Sequence, residues 1–504
     1  MNELKVNPSL EIGRLVQYGL QKQLIEPADV MYVRNRMMAL LKMDAPEPCE
    51  IPEEALDSPA PILERLLAYA YQNGALENNS VYARDMFDTE LMAIMTPRPS
   101  EVQRRFAEKY AVSAQAATDW YYDFSRATNY IRTDRVARDI RWRYASEYGD
   151  LVMTINLSKP EKDPAQIAAL KKQKVVNYPP CALCYENEGY LGTAQNAARG
   201  NHRVLPVTLD GAQWYLQYSP YVYYKEHCIV FNGDHVPMQI NSGTFRRLLD
   251  FIDRYPHYFL GSNADLPIVG GSILTHDHFQ GGHFTFPMEL APEEFHVSVP
   301  GFEDVSCAGI KWPLSVLRIR SQDRDRLAKL ADHILNAWRG YSDESVGILA
   351  FSDGEPHNTI TPIARRRGDE YEMDLTLRNN RTSEEHPLGI FHPHAEYHHI
   401  KKENIGLIEV MGLAVLPPRL KTELHIIRGC LLGDRDSFYT NETLDKHCEW
   451  YESLCARDDI TPETVDDILH DEVGRIFTRV LENAGVYKRD EAGQAAFRRF
   501  AASL

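Results

Sequence analysis

The hydrophobic periodicity changes along this chain, and the change constrains the fold more than any other feature. Apolar residues in the first ~150 positions recur at helical spacing, as Ile12, Leu15 and Val16 do. From Tyr178 onward, aromatic and β-branched runs separated by turn signals such as Asn232-Gly indicate strands. The last ~70 residues return to a mostly helical pattern. We therefore predict an α+β protein with a strand-rich middle and helical ends.

The length of the chain, 504 residues, exceeds what one ordinary core holds, so more than one domain is expected. A charged stretch with two prolines at 159–174 indicates a boundary, and the arginine-rich segment 129–145 is expected to be a helix whose basic face is solvated. A second mixed stretch begins near Lys311. Its His392-Pro-His394 repeats an earlier His-X-His, which suggests a duplicated half. We predict a mainly helical region at 1-165, strand-rich domains at 166-310 and 311-430, and a helical segment at 431-504.

The composition excludes several classes of protein. A hydrophobic fraction of 44% and a charged fraction of 25% are typical of soluble globular chains, and no stretch approaches the ~18 apolar residues of a membrane span. The first residues lack the apolar segment of a signal peptide, so a cytoplasmic location is expected. The net charge of −17 opposes binding of nucleic acid but does not exclude a nucleotide. Eight scattered cysteines do not form a disulfide framework.

Residues 276–280 read His-Asp-His-Phe-Gln and follow an apolar run, which predicts a strand leaving the core. Alternate side chains of a strand share a face, so His276, His278 and Gln280 are expected to project together. A neutral imidazole attacks phosphorus without a base, whereas an amide can donate to a phosphate oxygen but cannot protonate a leaving group. This favours His278 as the nucleophile of a transfer between phosphates. A metal-ligating or core His-X-His is the alternative.

The pair Cys181 and Cys184 has the spacing at which two thiolates can bind one metal ion. A tetrahedral zinc site needs two more ligands, and His235 and His276 are the candidates if the intervening strand–helix–strand segment brings them together. Four protein ligands would close the site, so its zinc would be structural. A redox pair or two packed thiols are the alternatives.

Other residues have patterns suited to binding. Arg199 and Arg203 could clamp a diphosphate, although solvent exposure is the simpler explanation for each. Gly271 would permit close backbone approach to a ligand. Lys402 and Glu409 lie where a downstream element could meet a sugar. A second metal site is a further hypothesis, with His357, His392, His394 and Glu294 as its candidate ligands.

Four segments of the chain carry a resemblance to a known family. They begin at Asn156 (NLSKPEKD), Cys181 (CALCYENEGY), Gln217 (QYSPYVYYKEHC) and Gly261 (GSNADLPIVGGS). Together they resemble the second, bacterial type of galactose-1-phosphate uridylyltransferase, a distant branch of the histidine-triad superfamily. The resemblance extends from about residue 130 to 415. It implies two tandem histidine-triad-like domains with antiparallel sheets, and exchange of uridylyl between UDP-glucose and galactose 1-phosphate in galactose metabolism.

The resemblance also implies roles for single residues in a ping-pong reaction. His278 would carry the uridylyl group, and Gln280 would donate to a phosphate oxygen. The zinc ligands would be Cys181, Cys184, His235 and His276. Asn263 would lie near the nucleotide, and Lys402 and Glu409 near the sugar. Apart from the resemblance, Arg199, Arg203, Gly271 and Ser272 are further candidate substrate contacts. The better-studied first type has a second metal site. Its ligands are resembled here by His357, His392 and His394 with a glutamate near Glu294. No organic cofactor is implied, and a homodimer is plausible by analogy.

The chain departs from the better-studied branch beside the nucleophile. Asp277 and Phe279 stand where that branch has proline and glycine, and a carboxylate there is expected to raise the pKa of His278. Three alternative functions remain open. They are a histidine-triad dinucleotide phosphorylase or hydrolase, a metal-dependent hydrolase that uses His276 and His278, and a zinc-braced binding module without turnover.

Overall fold

The computed structural model describes residues 6–158, 177–193, 195–271 and 273–504. The α-helices in these ranges are α1 (Pro8–Gln21), α2 (Val30–Leu40), α3 (Ala60–Gln72), α4 (Val81–Ala93), α5 (Pro99–Tyr110), α6 (Ala114–Ala127), α7 (Thr133–Val136), α8 (Ser242–Arg254), α9 (Arg324–Gly340), α10 (Leu407–Val410), α11 (Arg419–Leu432), α12 (Cys448–Cys455), α13 (Val465–Ala484) and α14 (Glu491–Ala502). No helix within these ranges combines the length and apolar character that crossing a membrane requires.

The strands in the same ranges are β1 (Ile140–Ser146), β2 (Gly149–Ile155), β3 (Leu205–Leu209), β4 (Ala212–Tyr218), β5 (Cys228–Asn232), β6 (Phe259–Gly261), β7 (His278–Gly282), β8 (Glu293–Val297), β9 (Ser306–Ile310), β10 (Val316–Ser321), β11 (Phe351–Ser352), β12 (Glu355–Pro356), β13 (Asn358–Arg367), β14 (Glu370–Asn379) and β15 (Leu413–Leu416). The α+β class, with antiparallel sheets and helical ends, is confirmed.

The N-terminal helices pack against the strand-rich middle of the chain. Helix α1 starts at Pro8, and the side chain of Asn7 caps it by accepting two backbone N–H groups. Its apolar stripe, which includes Leu15, is buried. In α6, the buried Tyr121 donates a hydrogen bond to the carbonyl oxygen of Arg203 at 2.6 Å. The helical region therefore shares one core with the sheet.

The arginine-rich segment 129–145 is not the predicted basic helix. Only α7 is helical there, and β1 follows it. In β1, half-buried residues such as Trp142 alternate with exposed ones such as Arg141, which is the two-residue period of a strand. β1 pairs antiparallel with β2, and β15 adds to β2 in parallel from far along the chain. The sequence around β1 and β2 gives no sign that β15 pairs with β2. The C-terminal helices pack on the same small sheet.

Ten strands form one continuous sheet in the order β3-β4-β5-β7-β6-β13-β14-β10-β9-β8, and every neighbouring pair is antiparallel. The two ends of this order repeat each other. β3-β4-β5-β7-β6 with α8 between β5 and β6 corresponds to β8-β9-β10-β14-β13 with α9 between β10 and β13. The predicted duplication of a half with an antiparallel sheet is thus confirmed. The halves share one sheet, joined where Gly261 pairs with Ile363, and the predicted domain boundaries stay a prediction.

One face of the second half carries a buried ionic network. Arg318 donates to Asp374, with Nε 2.7 Å from Oδ1, and Arg365 donates to Glu372, with Nε 2.7 Å from Oε1. Arg365 also contacts Asp374, and Arg320 approaches Glu372 at 2.5 Å. Both carboxylates are fully buried, and the arginines lower their pKa values. Each charge is therefore compensated by its neighbours.

Replacing Asp374 with asparagine is expected to destabilise the protein by about 3–5 kcal/mol, because two buried guanidinium groups would lose their carboxylate partner. The measurement is the midpoint of denaturant-induced unfolding. The matched control is Asp459→Asn, which removes an exposed pair with Arg457 (2.8 Å) and should leave the midpoint almost unchanged. Equal midpoints for the two variants would contradict the importance of the buried network.

Candidate functional site

The first residue of β7 is His278, and its ring is held from the backbone side. Its Nδ1 lies 2.8 Å from the carbonyl oxygen of His276, which can only accept, so Nδ1 carries the proton. The lone pair of Nε2 is therefore not needed for that bond. Burial lowers the pKa of His278 to about 4, so the ring is neutral at cellular pH. The expectation that Asp277 raises this pKa is wrong.

His276 lies just before β7, so it does not share a strand face with His278 and Gln280 as predicted. Its Nε2 donates to the carbonyl oxygen of Asn232 at 2.8 Å, which leaves Nδ1 as the ligand atom. That nitrogen lies 3.2 Å from the sulfur of Cys181. The residue therefore does two things: its ring joins a cysteine cluster, and its carbonyl oxygen holds His278.

The cysteine cluster contains the predicted metal ligands. The ligand atoms of Cys181, Cys184, His235 and His276 all lie within 4.8 Å of one another, and among the described residues this is the group that could hold a metal ion. Four of the distances between these atoms are 3.4, 3.2, 3.0 and 3.6 Å. A tetrahedral site with metal–ligand distances of about 2.0–2.3 Å has edges of about 3.3–3.8 Å.

The protonation chemistry of the same cluster also fits a cation. Burial raises the pKa of the Cys184 thiol to about 12, so a nearby positive charge is needed to hold it as a thiolate. Asn187 further orders the loop by donating to the carbonyl oxygens of Cys181 and Cys184 at 2.8 Å each. The residues present therefore fit a tetrahedral metal ion.

Gln280 shares the face of β7 with His278, because the two are two residues apart on one strand. It pairs with Ile229 in β5 and with Gly261 in β6. Gly261 has no side chain, and a methyl group there would lie 2.9 Å from Leu407. The glycine therefore lets the first residue of α10 approach the strand next to Gln280.

Three of the predicted contacts lie around this approach of α10 to β6. Asn263 is buried and accepts the backbone N–H of Leu407 at 2.9 Å, while a methyl group on Gly271 would lie 2.7 Å from its amide nitrogen. Glu409 caps α10 by accepting the N–H of Gly406 at 3.1 Å. Asn263, Gly271 and Glu409 are thus gathered around one side of β6.

Lys402, which was predicted to lie near a sugar, is not the lysine that contacts Glu409, and its sugar contact stays a prediction. Lys402 is exposed, whereas Lys401 is buried and lies 2.9 Å from Glu409 through Nζ. Two adjacent lysines carry the same chemistry, so no signal in the sequence distinguishes them. Only the conformation of the segment decides which one turns inward.

The two arginines predicted to clamp a diphosphate have other neighbours. Arg203 is buried and donates to the carbonyl oxygens of Pro97, Gly200 and His202 at 2.6–3.0 Å, which favours a structural role. Arg199 is half-buried over the ring of Tyr130. Their substrate contacts stay predictions. Ser272 lies outside the described residues.

The hypothesis of a second metal site is wrong for the residues that it named. His357 bonds to Ser352 and Asn380, His392 to Asn404, His394 to Asn483, and Glu294 to Arg489. None of the four belongs to the metal-binding group found in the described ranges. The short His-X-His motif at 392–394 resembles residues 276–278 in sequence only, because its rings bond to unrelated neighbours.

Comparisons with known proteins show the family to which the chain belongs. The chain matches the models of the galactose-1-phosphate uridyl transferase family, the N-terminal domain over residues 23–237 and the C-terminal domain over 251–438. A galactose-1-phosphate uridylyltransferase of Caldanaerobacter subterraneus is 53% identical over 98% of this chain and 97% of the relative. That of Bacillus subtilis is 50% identical over 97% and 96%. Yeast Ap4A phosphorylase Apa2 superimposes with a TM-score of 0.31 at 10% identity, over 64% of this chain and 91% of that one.

Proposed function

Because the chain belongs to the galactose-1-phosphate uridyl transferase family, we propose that it transfers a uridylyl group from UDP-glucose to galactose 1-phosphate. The observation that carries this proposal is the ring of His278. Its Nδ1 is bonded to the carbonyl oxygen of His276, its Nε2 is left as a nucleophile, and Gln280 lies on the same strand face.

In the first half-reaction, Nε2 of His278 attacks the α-phosphorus of UDP-glucose. The new nitrogen–phosphorus bond forms as the bond to the bridging oxygen breaks, and glucose 1-phosphate leaves as an anion without needing a proton. The uridylylated ring keeps its proton on Nδ1 and is positively charged. The carbonyl oxygen of His276 lies 2.8 Å from that nitrogen, where it stabilises the charge.

In the second half-reaction, a phosphate oxygen of galactose 1-phosphate attacks the same phosphorus. The nitrogen–phosphorus bond breaks, and His278 returns to its neutral form as UDP-galactose departs. Gln280 donates an amide N–H to a non-bridging oxygen in both steps, which stabilises the negative charge that concentrates there. Neither step requires a general acid, which agrees with an amide at position 280.

We infer that the cysteine cluster holds zinc. Cys181, Cys184, His235 and His276 would be its ligands, and a closed site of this kind supplies structural bracing. His276 joins the two sites, because its ring belongs to the cluster and its carbonyl oxygen orients His278. The zinc site would therefore help to fix the orientation of the His278 ring.

The same function accounts for the remaining expectations. We expect an enzyme for sugar phosphates in the cytoplasm, and a homodimer by analogy with the first type of the family. The two half-reactions use no organic cofactor. A metal-dependent hydrolase that uses both histidines is disfavoured because the ring of His278 bonds to a carbonyl oxygen rather than joining the cysteine cluster. The labelling experiment described next distinguishes the transferase from a dinucleotide phosphorylase or hydrolase.

The test is to incubate the protein with UDP-glucose labelled in the uracil ring. We expect close to one acid-labile label per chain, which galactose 1-phosphate then removes as labelled UDP-galactose. UDP-glucose labelled in the glucose is the control and should leave no label on the protein. Release of free UMP as the main product would instead favour the hydrolase, and a sequential rate law without label would contradict the mechanism.

A further inference from the structure

We propose that His227 is a positioning residue that fixes the orientation of the Gln280 amide. The inference rests on the proposed function, in which that amide donates to the transferred phosphate. His227 is buried directly beside Gln280, and its Nε2 lies 3.1 Å from the amide oxygen Oε1. A glutamine amide has a donor end and an acceptor end, so its neighbour decides which end faces the substrate.

The second nitrogen of His227 determines the direction of this bond. Its Nδ1 is buried and has no hydrogen-bond partner among the described residues. A proton on Nδ1 would leave a buried donor unpaired, which is rarer in proteins than an unpaired acceptor. The proton therefore belongs on Nε2, which donates to Oε1 of Gln280. Burial also lowers the pKa of His227 to about 4, so the ring stays neutral.

With its oxygen held by His227, Gln280 turns its NH₂ group away from that ring. This leaves the amide hydrogens free to donate, and donation is the role that a phosphate oxygen requires of position 280. The flipped amide would place its oxygen towards the phosphate and repel it. His227 thus acts on the reaction through Gln280 and has no need to touch the substrate.

The turn that carries His227 is fixed against the end of β7. Glu226, the preceding residue, has a φ of +57°, a conformation that residues with a side chain rarely adopt. A methyl group on Gly282 would lie 2.6 Å from the carbonyl oxygen of Glu226, so glycine is needed for the close approach. Tyr224 adds a hydrogen bond to the carbonyl oxygen of Gly281 at 3.0 Å.

The side chain of Glu226 holds the same turn from the other side. It is buried and accepts the hydroxyl of Tyr258 at 2.6 Å, and Tyr258 in turn contacts Tyr218 at 2.8 Å. The turn is thus tied to β4 and to the segment before β6. These contacts hold the ring of His227 in one place relative to the strand that carries Gln280.

A second histidine–glutamine pair provides a matched control. His202 is buried, its Nε2 lies 2.8 Å from the amide oxygen of Gln217, and its Nδ1 is also unpaired within the described residues. Gln217 pairs with Ile229, which pairs with Gln280, so the two glutamines lie two strands apart in one row, a separation of about 10 Å. The two pairs are chemically alike but only one involves position 280.

The experiment is a double-mutant cycle between His227→Phe and Gln280→Ala, followed by steady-state kinetics and the rate of uracil labelling. Phenylalanine keeps the ring but removes the donor. We expect His227→Phe to lower kcat about 10- to 100-fold with less than about a threefold change in the KM for UDP-glucose. In the Gln280→Ala background the same substitution should change kcat by less than about twofold. His227→Gln, which keeps a donor near Nε2, should restore most of the activity.

His202→Phe in the same cycle should act independently, so its effect on kcat should be the same with and without Gln280. An equal effect of His227→Phe in both backgrounds, or no rescue by His227→Gln, would overturn the positioning role. If Gln280→Ala is inactive and His227→Phe is fully active, only the inference about His227 fails. If Gln280→Ala is as active as the unaltered protein, the role of Gln280 in the proposed function fails as well.

Discussion

Replacement of His278 by asparagine should abolish covalent labelling by UDP-glucose and lower kcat on the order of 10⁴-fold or more. Asparagine retains an N–H that can bond to the carbonyl oxygen of His276, so the turn before β7 should keep its conformation. It offers no nucleophilic nitrogen to phosphorus. The loss should therefore appear in the chemical step, measured by single-turnover labelling, and not in the unfolding midpoint.

The control for this variant is His296→Asn, since His296 is an exposed histidine on β8 in the other half of the sheet. It should retain full labelling. Acid-labile label on the His278→Asn protein would mean that another residue carries the uridylyl group. If the His278→Asn protein were misfolded, its unfolding midpoint would fall. The midpoint therefore distinguishes a folding defect from a catalytic one.

Replacement of Cys184 by alanine is expected to lower the bound zinc from about one to near zero per chain and to reduce stability substantially. Its sulfur contacts the ligand atoms of Cys181, His235 and His276, so its removal opens the site on three edges. Structural zinc sites contribute apparent binding free energies of about 10–16 kcal/mol, and much of this is folding free energy. Metal analysis of the purified protein and thermal unfolding measure the two effects.

The matched control is Cys307→Ala, which removes another buried thiol, on β9. It should leave the zinc content unchanged and cost only the stability associated with a small cavity. A chelator should reproduce the effect of Cys184→Ala on the unaltered protein. If Cys184→Ala retains one zinc per chain, or if the unaltered protein carries none and ignores the chelator, the proposed metal site is wrong.

The sequence predicted best where chemistry and spacing coincide. Two cysteines three positions apart and two histidines already define a ligand set, and the structure brings all four together. The helical ends and the strand-rich middle also follow from periodicity, because burial of one face imposes a repeat that the residues themselves carry. The repeated His-X-His motif and the family resemblance both suggested a duplicated half, but neither predicted the order of its strands.

Prediction failed where distant contacts decide the outcome. The strand β1 depends on β2 and β15, so its arginines alone suggested a helix. The contact between Lys401 and Glu409 and the proposed role of His227 were not predicted, because they depend on how a loop turns and on a turn held against β7. The histidines at 392–394 matched a motif but found other partners. In each case the missing information is tertiary.

The two duplicated halves form one continuous ten-stranded sheet, because backbone hydrogen bonds join them where Gly261 pairs with Ile363. A ping-pong enzyme must release one sugar phosphate and admit another between its steps, and many enzymes do this by swinging two lobes apart. In this protein such a motion would break the backbone hydrogen bonds between β6 and β13. Exchange is therefore expected to proceed through surface segments, and spectroscopic labels on α8 and α9 should keep a constant separation throughout turnover.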